Sequence, residues 1–256
     1  MTSQSLSFNL KRKLLKKELC IGSWCTLYNP AIVEILANSG YEFIVIDLEH
    51  TAISIHQAVE SVRVLDLMNV SPLVRVTSLD VGQIKRVIDS GAHGIIVPSV
   101  ESSEDVRKVV EAIQYPPIGT RGAGLGRAQK YGEGFDSYYQ SSNENIIFIP
   151  QIETKKGVDN IEEILLCDQV DGILVGPYDL SSSLGIAGIF DHPMYNKALE
   201  IIVNAVSLAN KSIGIHVVDP DPDLAKKYIK DGFNFIVYGT DIRFLSMSAK
   251  EWRLIQ

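Results

Sequence analysis

Residues 42–76, EFIVIDLEHTAISIHQAVESVRVLDLMNVSPLVRV, contain one complete structural unit. Residues 42–48 form an Ile/Val run with no polar alternation, the pattern of a strand covered on both faces. Over residues 54–69 the period changes: Ile55, Val59, Val62 and Leu65 or Asp66 recur near one face, as a helix requires. Residues 72–76, PLVRV, return to strand character. A strand, a helix and a strand within about thirty residues make the βαβ unit of a parallel sheet.

The same alternation extends in both directions. Further apolar runs lie at 20–26 (CIGSWCT), 94–98 (GIIVP), 145–152 (NIIFIPQI), 171–176 (DGILVG), 212–218 (SIGIHVV) and 233–238 (FNFIVY). Helical patterns lie at 29–39, 81–90, 101–114, 158–166, 194–210 and 222–230. The first has Pro30 just inside its start and Gly40 just past its end, as a capped helix should. Eight strands alternating with helices predict an α/β chain folded as a (β/α)8 TIM barrel, one domain over residues 1–256. A doubly wound open sheet is the competing architecture. In its Rossmann form it needs a glycine fingerprint after the first strand, where Leu27-Tyr28-Asn29-Pro30 stand instead. The glycines of 119–126 (GTRGAGLG) follow Tyr115-Pro116-Pro117, a helix exit, and give only a weak phosphate signal. Residues 115–144 read as one long loop, functional or held by a partner.

Composition narrows the function. Lys plus Arg number 24 against 31 Asp plus Glu, a net charge of −7 without a basic block. Nucleic acid is therefore not an expected partner, because phosphate binding needs clustered cations. The three cysteines have no paired spacing, which argues against a disulfide framework and a zinc ribbon and fits a reducing compartment. The first twenty residues lack the apolar segment of a secretory signal, and no run nears the roughly 18 to 20 apolar residues of a membrane helix. The expectation is a soluble cytoplasmic protein with no membrane partner.

In a barrel, chemistry belongs to the carboxyl ends of the strands. The second strand runs into Asp47-Leu48-Glu49-His50 and the third ends near Arg75. The fifth runs into Gln151-Ile152-Glu153, the sixth into Gly176-Pro177-Tyr178-Asp179, and the seventh contains His216. Glu153 and Asp179 have a plain alternative as caps of the following helices. Together on adjacent strands, beside a glutamine, they suit a hard cation with open positions; Mg²⁺, Mn²⁺ and Co²⁺ all fit. Beside a metal, His50 becomes a candidate general base. A guanidinium in an apolar strand needs an anion, so Arg75 has either a structural partner such as Asp47 or Glu49, or a substrate oxygen. Asp89, near a helix end where the dipole disfavours it, is expected to pair with a histidine or arginine. His56, His93, His192 and His216 are read as structural.

Asp47-Leu48-Glu49-His50, Pro72-Leu73-Val74-Arg75, Val97-Pro98, Tyr115-Pro116-Pro117 with Gly119-Thr120-Arg121-Gly122, Gln151-Ile152-Glu153 and Gly176-Pro177-Tyr178-Asp179-Leu180-Ser181 occur in that order. Together they resemble the metal-dependent pyruvate aldolases of the HpcH/HpaI family, over about the whole chain. The resemblance implies a barrel of the phosphoenolpyruvate/pyruvate type. It also implies reversible cleavage of 4-hydroxy-2-oxo acids to pyruvate and an aldehyde through a metal-bound pyruvate enolate. By matching position, Glu153 and Asp179 would hold the metal, and Gln151, Tyr178 and Asp179 would orient the substrate. His50 would be the base, Asp89 would tune it, and Arg75 would stabilise the developing oxyanion. The arm 121–135 helps build subunit contacts in relatives, so a homo-oligomer, a hexamer, is implied. Val76 stands where relatives often have proline, and Tyr178 where many have a small residue. Two alternatives accompany this reading: a citryl- or malyl-CoA-type lyase, and a silent member that only binds an oxo acid.

Overall fold

In the computed structural model, which describes residues 3–255, eight parallel strands close into a barrel in chain order. They are β1 (Cys20–Cys25), β2 (Phe43–Asp47), β3 (Ser71–Arg75), β4 (Gly94–Val97), β5 (Ile147–Ile152), β6 (Gly172–Val175), β7 (Ser212–Val217) and β8 (Phe235–Thr240). β8 returns to pair with β1, so no sheet edge is left open. The first helices are α1 (Ser3–Leu15), α2 (Pro30–Asn38), α3 (Ile55–Leu67), α4 (Val81–Asp89), α5 (Ser103–Ile113) and α6 (Phe135–Asn145). After β5 come α7 (Lys155–Asp159), α8 (Ile161–Leu165), α9 (Pro177–Ser183), α10 (Pro193–Leu208), α11 (Pro222–Lys230) and α12 (Asp241–Ser248).

Side chains alternate between the two faces of a strand. The outward set, Ile44, Ile46, Ile95, Val97, Ile213 and Ile215 among them, packs beneath the helices in one large buried cluster. The inward set forms a separate cluster inside the barrel that includes Phe43, Val45, Leu73, Ile96, Leu174 and Phe235. Both faces are buried, which is why these strands read as unbroken apolar runs. Phe43 and Phe235 stack across the interior at 4.4 Å and 8°. Glycine makes that possible: a Cβ on Gly22 would lie 2.4 Å from the Phe43 ring, and one on Gly214 2.6 Å from Phe235.

The helix α1 closes the amino-terminal end of the barrel. Leu10 and Leu14 join the interior cluster. Ser212 Oγ donates to the Leu14 carbonyl at 2.6 Å, and Lys11 Nζ reaches the Ile146 carbonyl at 2.6 Å and Asp171 at 3.3 Å. With that end plugged, the cavity lined by the inward-facing residues opens at the carboxyl rim.

Three expectations change. The long loop at 115–144 is instead an arm with a 3-10 turn at Lys130–Gly132 and then α6. That helix, FDSYYQSSNEN, buries only Ser142 and so shows no apolar period. The pattern at 158–166 divides into α7 and α8 at Asn160, whose φ of −105° and ψ of 12° break the helix. The last strand runs two residues beyond its expected end, to Thr240, whose hydroxyl then caps α12 by accepting from Arg243 N. No helix among the described residues is long and apolar enough to cross a membrane.

Candidate active site

The last inward-facing positions of the strands lie above the apolar interior. There the chain places Trp24 on β1, Asp47 on β2, Arg75 on β3, Gln151 on β5 and His216 on β7. A cavity of about 210 Å³ opens here, lined by Trp24, His50, Arg75, Gln151, Tyr178, Asp179 and His216 among others. A larger cavity, about 440 Å³, lies at the amino-terminal end near Asp66, His93 and Arg127. There Asp66 already meets His93 at 3.0 Å and Arg127 at 2.5 Å. We therefore place the chemistry at the carboxyl rim.

Arg75 is the hub of the rim. Its Nε and Nη2 donate to the two carboxylate oxygens of Asp47 at 2.9 and 2.8 Å, and Nη1 lies 3.1 Å from Glu49. Its guanidinium also sits 4.3 Å above the Trp24 ring. The structural partner considered from sequence is thus present. A guanidinium has five N–H donors, and two of them are engaged by Asp47. Asp47 in turn accepts from the backbone of Glu49 at 3.0 Å, which fixes the turn carrying Glu49 and His50 over the rim. The His50 side chain is 60% exposed, and its Nε2 lies 3.7 Å from Glu49. Burial pushes the Glu49 carboxyl up to about 7; Arg75 pulls it down, and Glu153, Asp47 and Asp179 add to the rise.

Glu153 is buried just past β5. One of its oxygens accepts from Ser99 N at 2.7 Å and Ser99 Oγ at 3.0 Å, and the other accepts from Gln151 Nε2. It does not cap α7; Thr154 does, accepting from Gly157 N at 3.0 Å. Asp179 lies in the first turn of α9, where the helix dipole favours it. Gly176 stands between the two strand ends. A Cβ there would lie 2.6 Å from Glu153 Oε2 and 3.0 Å from Gln151 Nε2, so only glycine lets this carboxylate approach the backbone.

Among the described residues, neither Glu153 nor Asp179 has an ion-pair partner, whereas Arg75 is held by Asp47 and Glu49. Four carboxylates thus share one guanidinium. That excess of negative charge suits a divalent cation bound through one or two carboxylates. No group of three or more His, Cys, Asp or Glu among the described residues is arranged to hold a metal. Two carboxylates as donors would leave positions for water and substrate oxygens.

Asp89 is not part of this rim. It ends α4, and a helix following a barrel strand runs back to the amino-terminal end, away from His50. Arg121 Nη2 donates to Asp89 at 2.6 Å, and Arg121 itself is sandwiched against Tyr115 and Tyr138 at 4.7 and 5.4 Å. The expected arginine partner exists, but within one chain Asp89 does not reach His50. Tyr178 is half exposed, with its ring edge-on to Phe190 at 5.0 Å. Lys155 and Lys156 lie on α7, paired with Asp159 and Glu101 and facing outward.

Two residues at the rim, His216 and Trp24, escaped the sequence reading. His216 was assigned a structural part, yet it lines the cavity beside Trp24, with ring centroids 5.4 Å apart. Burial, reinforced by Arg75, pushes its pKa down to about 3, so the ring is neutral. A signal was available: in SIGIHV, Ser212, Gly214 and His216 alternate with Ile213, Ile215 and Val217. The apolar set faces the helices, so His216 must face the interior. His192 does have a structural part, capping α10 by accepting from Met194 N at 3.1 Å.

Comparison with known proteins shows what the chain is similar to. The family model described as HpcH/HpaI aldolase/citrate lyase matches residues 20–247. The chain is 35% identical to 2-keto-3-deoxy-L-rhamnonate aldolase of Klebsiella pneumoniae over 92% of its length and 88% of the relative's. It is 36% identical to 5-keto-4-deoxy-D-glucarate aldolase of Escherichia coli over 91% and 90%. A crystal structure of an HpcH/HpaI aldolase/citrate lyase family protein from Burkholderia cenocepacia superposes with a TM-score of 0.91 at 30% identity, covering 96% of this chain and 98% of that one.

Proposed function

Because the chain belongs to the HpcH/HpaI aldolase/citrate lyase family, a group of carbon–carbon lyases, we propose that it reversibly cleaves 4-hydroxy-2-oxo acids to pyruvate and an aldehyde with the help of a divalent metal. The observation that carries this reading is the pair Glu153 and Asp179, two carboxylates with no ion-pair partner among the described residues, beside Arg75 and His50. These two would hold the metal, and Mg²⁺, Mn²⁺ and Co²⁺ suit such oxygen donors. When bound, a divalent cation supplies Lewis-acid polarisation of the 2-oxo group.

The chain's own residues do the rest. Gln151 and the backbone at Tyr178 and Asp179 orient the oxo acid. His50 accepts the proton of the 4-hydroxyl, the C3–C4 bond breaks, and the aldehyde leaves. The electron pair remains on the pyruvate half as an enolate, which is then protonated at C3. The N–H donors of Arg75 not bonded to Asp47 stabilise the oxygen on which charge develops. The 35–36% identical relatives are aldolases by name, which favours this reading over a CoA-ester lyase.

We place the protein in the cytoplasm as a homo-oligomer, a hexamer. All three cysteines are free, as a reducing compartment allows. A catalytic part for Asp89 also requires a second copy, because its own barrel holds it at the far end. The test is pyruvate release from a 4-hydroxy-2-oxo acid. EDTA should abolish it and Mn²⁺, Mg²⁺ or Co²⁺ should restore it. Full turnover in metal-free protein, with borohydride trapping a lysine adduct, contradicts the proposal.

A further inference from the structure

We propose that His216, with Trp24 beside it, recognises a hydroxyl group on the aldehyde half of the substrate and makes the enzyme selective for hydroxylated acceptors. This rests on the aldolase reading above and adds a specificity-determining pair to it.

The pyruvate half has its own place. Glu153, Gln151 and Asp179 stand at the ends of β5 and β6, where an oxo acid and a cation would lie. The arc from β7 to β1 is left for the other half, and His216 and Trp24 stand on it. Among the described residues, His216 Nε2 and Trp24 Nε1 are both buried without a hydrogen-bond partner. Buried polar atoms of this kind are normally paired, and exceptions call for a ligand or another functional reason. The remainder of the His216 ring contacts the Gly239 backbone and the tilted Trp24 ring, which hold it in place.

The chemistry of the missing partner follows from the surroundings. The ring is neutral, since burial and the Arg75 charge both oppose its protonation, so it offers no cation to a carboxylate. Asp47, close enough to interact with it, repels an anion as well. A hydroxyl both donates and accepts, so it satisfies Nε2 in either tautomer and can also accept from the indole N–H. An acceptor with no hydroxyl leaves these atoms unpaired, and sites of that kind discriminate strongly against it.

The experiment compares aldol addition of pyruvate to glycolaldehyde and to acetaldehyde, which differ by one hydroxyl. The readout is the ratio of the two kcat/KM values, which cancels any loss common to both. The wild type should favour glycolaldehyde. His216→Leu should lower the ratio about tenfold, His216→Gln should keep it within about threefold, and Trp24→Phe should lower it about threefold. An unchanged ratio in folded His216→Leu or Trp24→Phe overturns the proposal. Solvent deuterium exchange into pyruvate, which needs no aldehyde, runs in parallel. A wild type that fails to exchange contradicts the aldolase reading itself; one that exchanges, with an unchanged ratio in the variants, contradicts only the part given to His216.

Discussion

Replacing Arg75 by lysine separates charge from geometry. The substitution keeps the positive charge, so the balance against the rim carboxylates is preserved. It removes the fork. Asp47 is 2% exposed and receives two guanidinium bonds, at 2.9 and 2.8 Å. An ammonium replaces one of them. A hydrogen bond to a charged group contributes about 1.5–3 kcal/mol, and losing the guanidinium contact over Trp24 removes roughly 0.5–1 kcal/mol more. The fold should therefore lose about 2–4 kcal/mol, a fall in Tm of roughly 5–12 °C for a chain of this size. The loss in turnover should be larger than that destabilisation explains, because a donor aimed at developing charge is worth about 10²–10³ in rate. Thermal unfolding and coupled pyruvate release measure the two effects separately. Wild-type kcat/KM in Arg75→Lys removes Arg75 from the chemistry, and an unchanged Tm contradicts the Arg75–Asp47 fork.

Three further predictions follow from the rim and the barrel's two ends. The Glu49 carboxyl titrates at about 7 in the fold, above its ordinary value. Its protonated form therefore supports the fold, a contribution fully present below the ordinary carboxylate pKa and lost as pH rises through 7. Glu49→Gln should raise stability at pH 8 by about 1–2 kcal/mol after discounting for partial exposure, seen as a higher Tm, and leave it unchanged near pH 4.5; equal effects at both pH values contradict this. Gly176→Ala places a methyl 2.6 Å from Glu153 Oε2 and should lower divalent-metal affinity at least about tenfold with the barrel intact, as far-ultraviolet circular dichroism and metal titration would show; unaltered affinity contradicts the close approach. His50→Ala and Asp89→Ala, each inactive alone, should regain activity when mixed and reassembled, because Asp89 can serve a rim only from another copy; no recovery in mixed oligomers removes Asp89 from the site.

The sequence reading was accurate where burial dictates composition. All eight strands appear within about two residues of their expected positions, because a strand covered on both faces has little choice but Ile, Val and Gly. It failed where burial is absent. The polar α6 carries no apolar stripe, and α9 (PYDLSSS) is too short to show a period. Arg75 was legible because a charge in an apolar strand is anomalous. His216 was not, since a histidine in a strand is ordinary, and only the period-2 alternation of β7 assigns it to the interior. The arginine partner of Asp89 was legible from its place at a helix end, but which end of the barrel it occupies depends on the direction of the helix, which single residues do not show.

The central claim is that Glu153 and Asp179 together hold a divalent cation at the carboxyl rim. Mn²⁺ binding, followed by the electron paramagnetic resonance of the free ion, tests it without any substrate. One site per chain in the wild type, weakened at least about tenfold in both Glu153→Gln and Asp179→Asn and unchanged in the exposed control Asp223→Asn, is the expected result. Equal Mn²⁺ affinity in the wild type and both rim variants would contradict it.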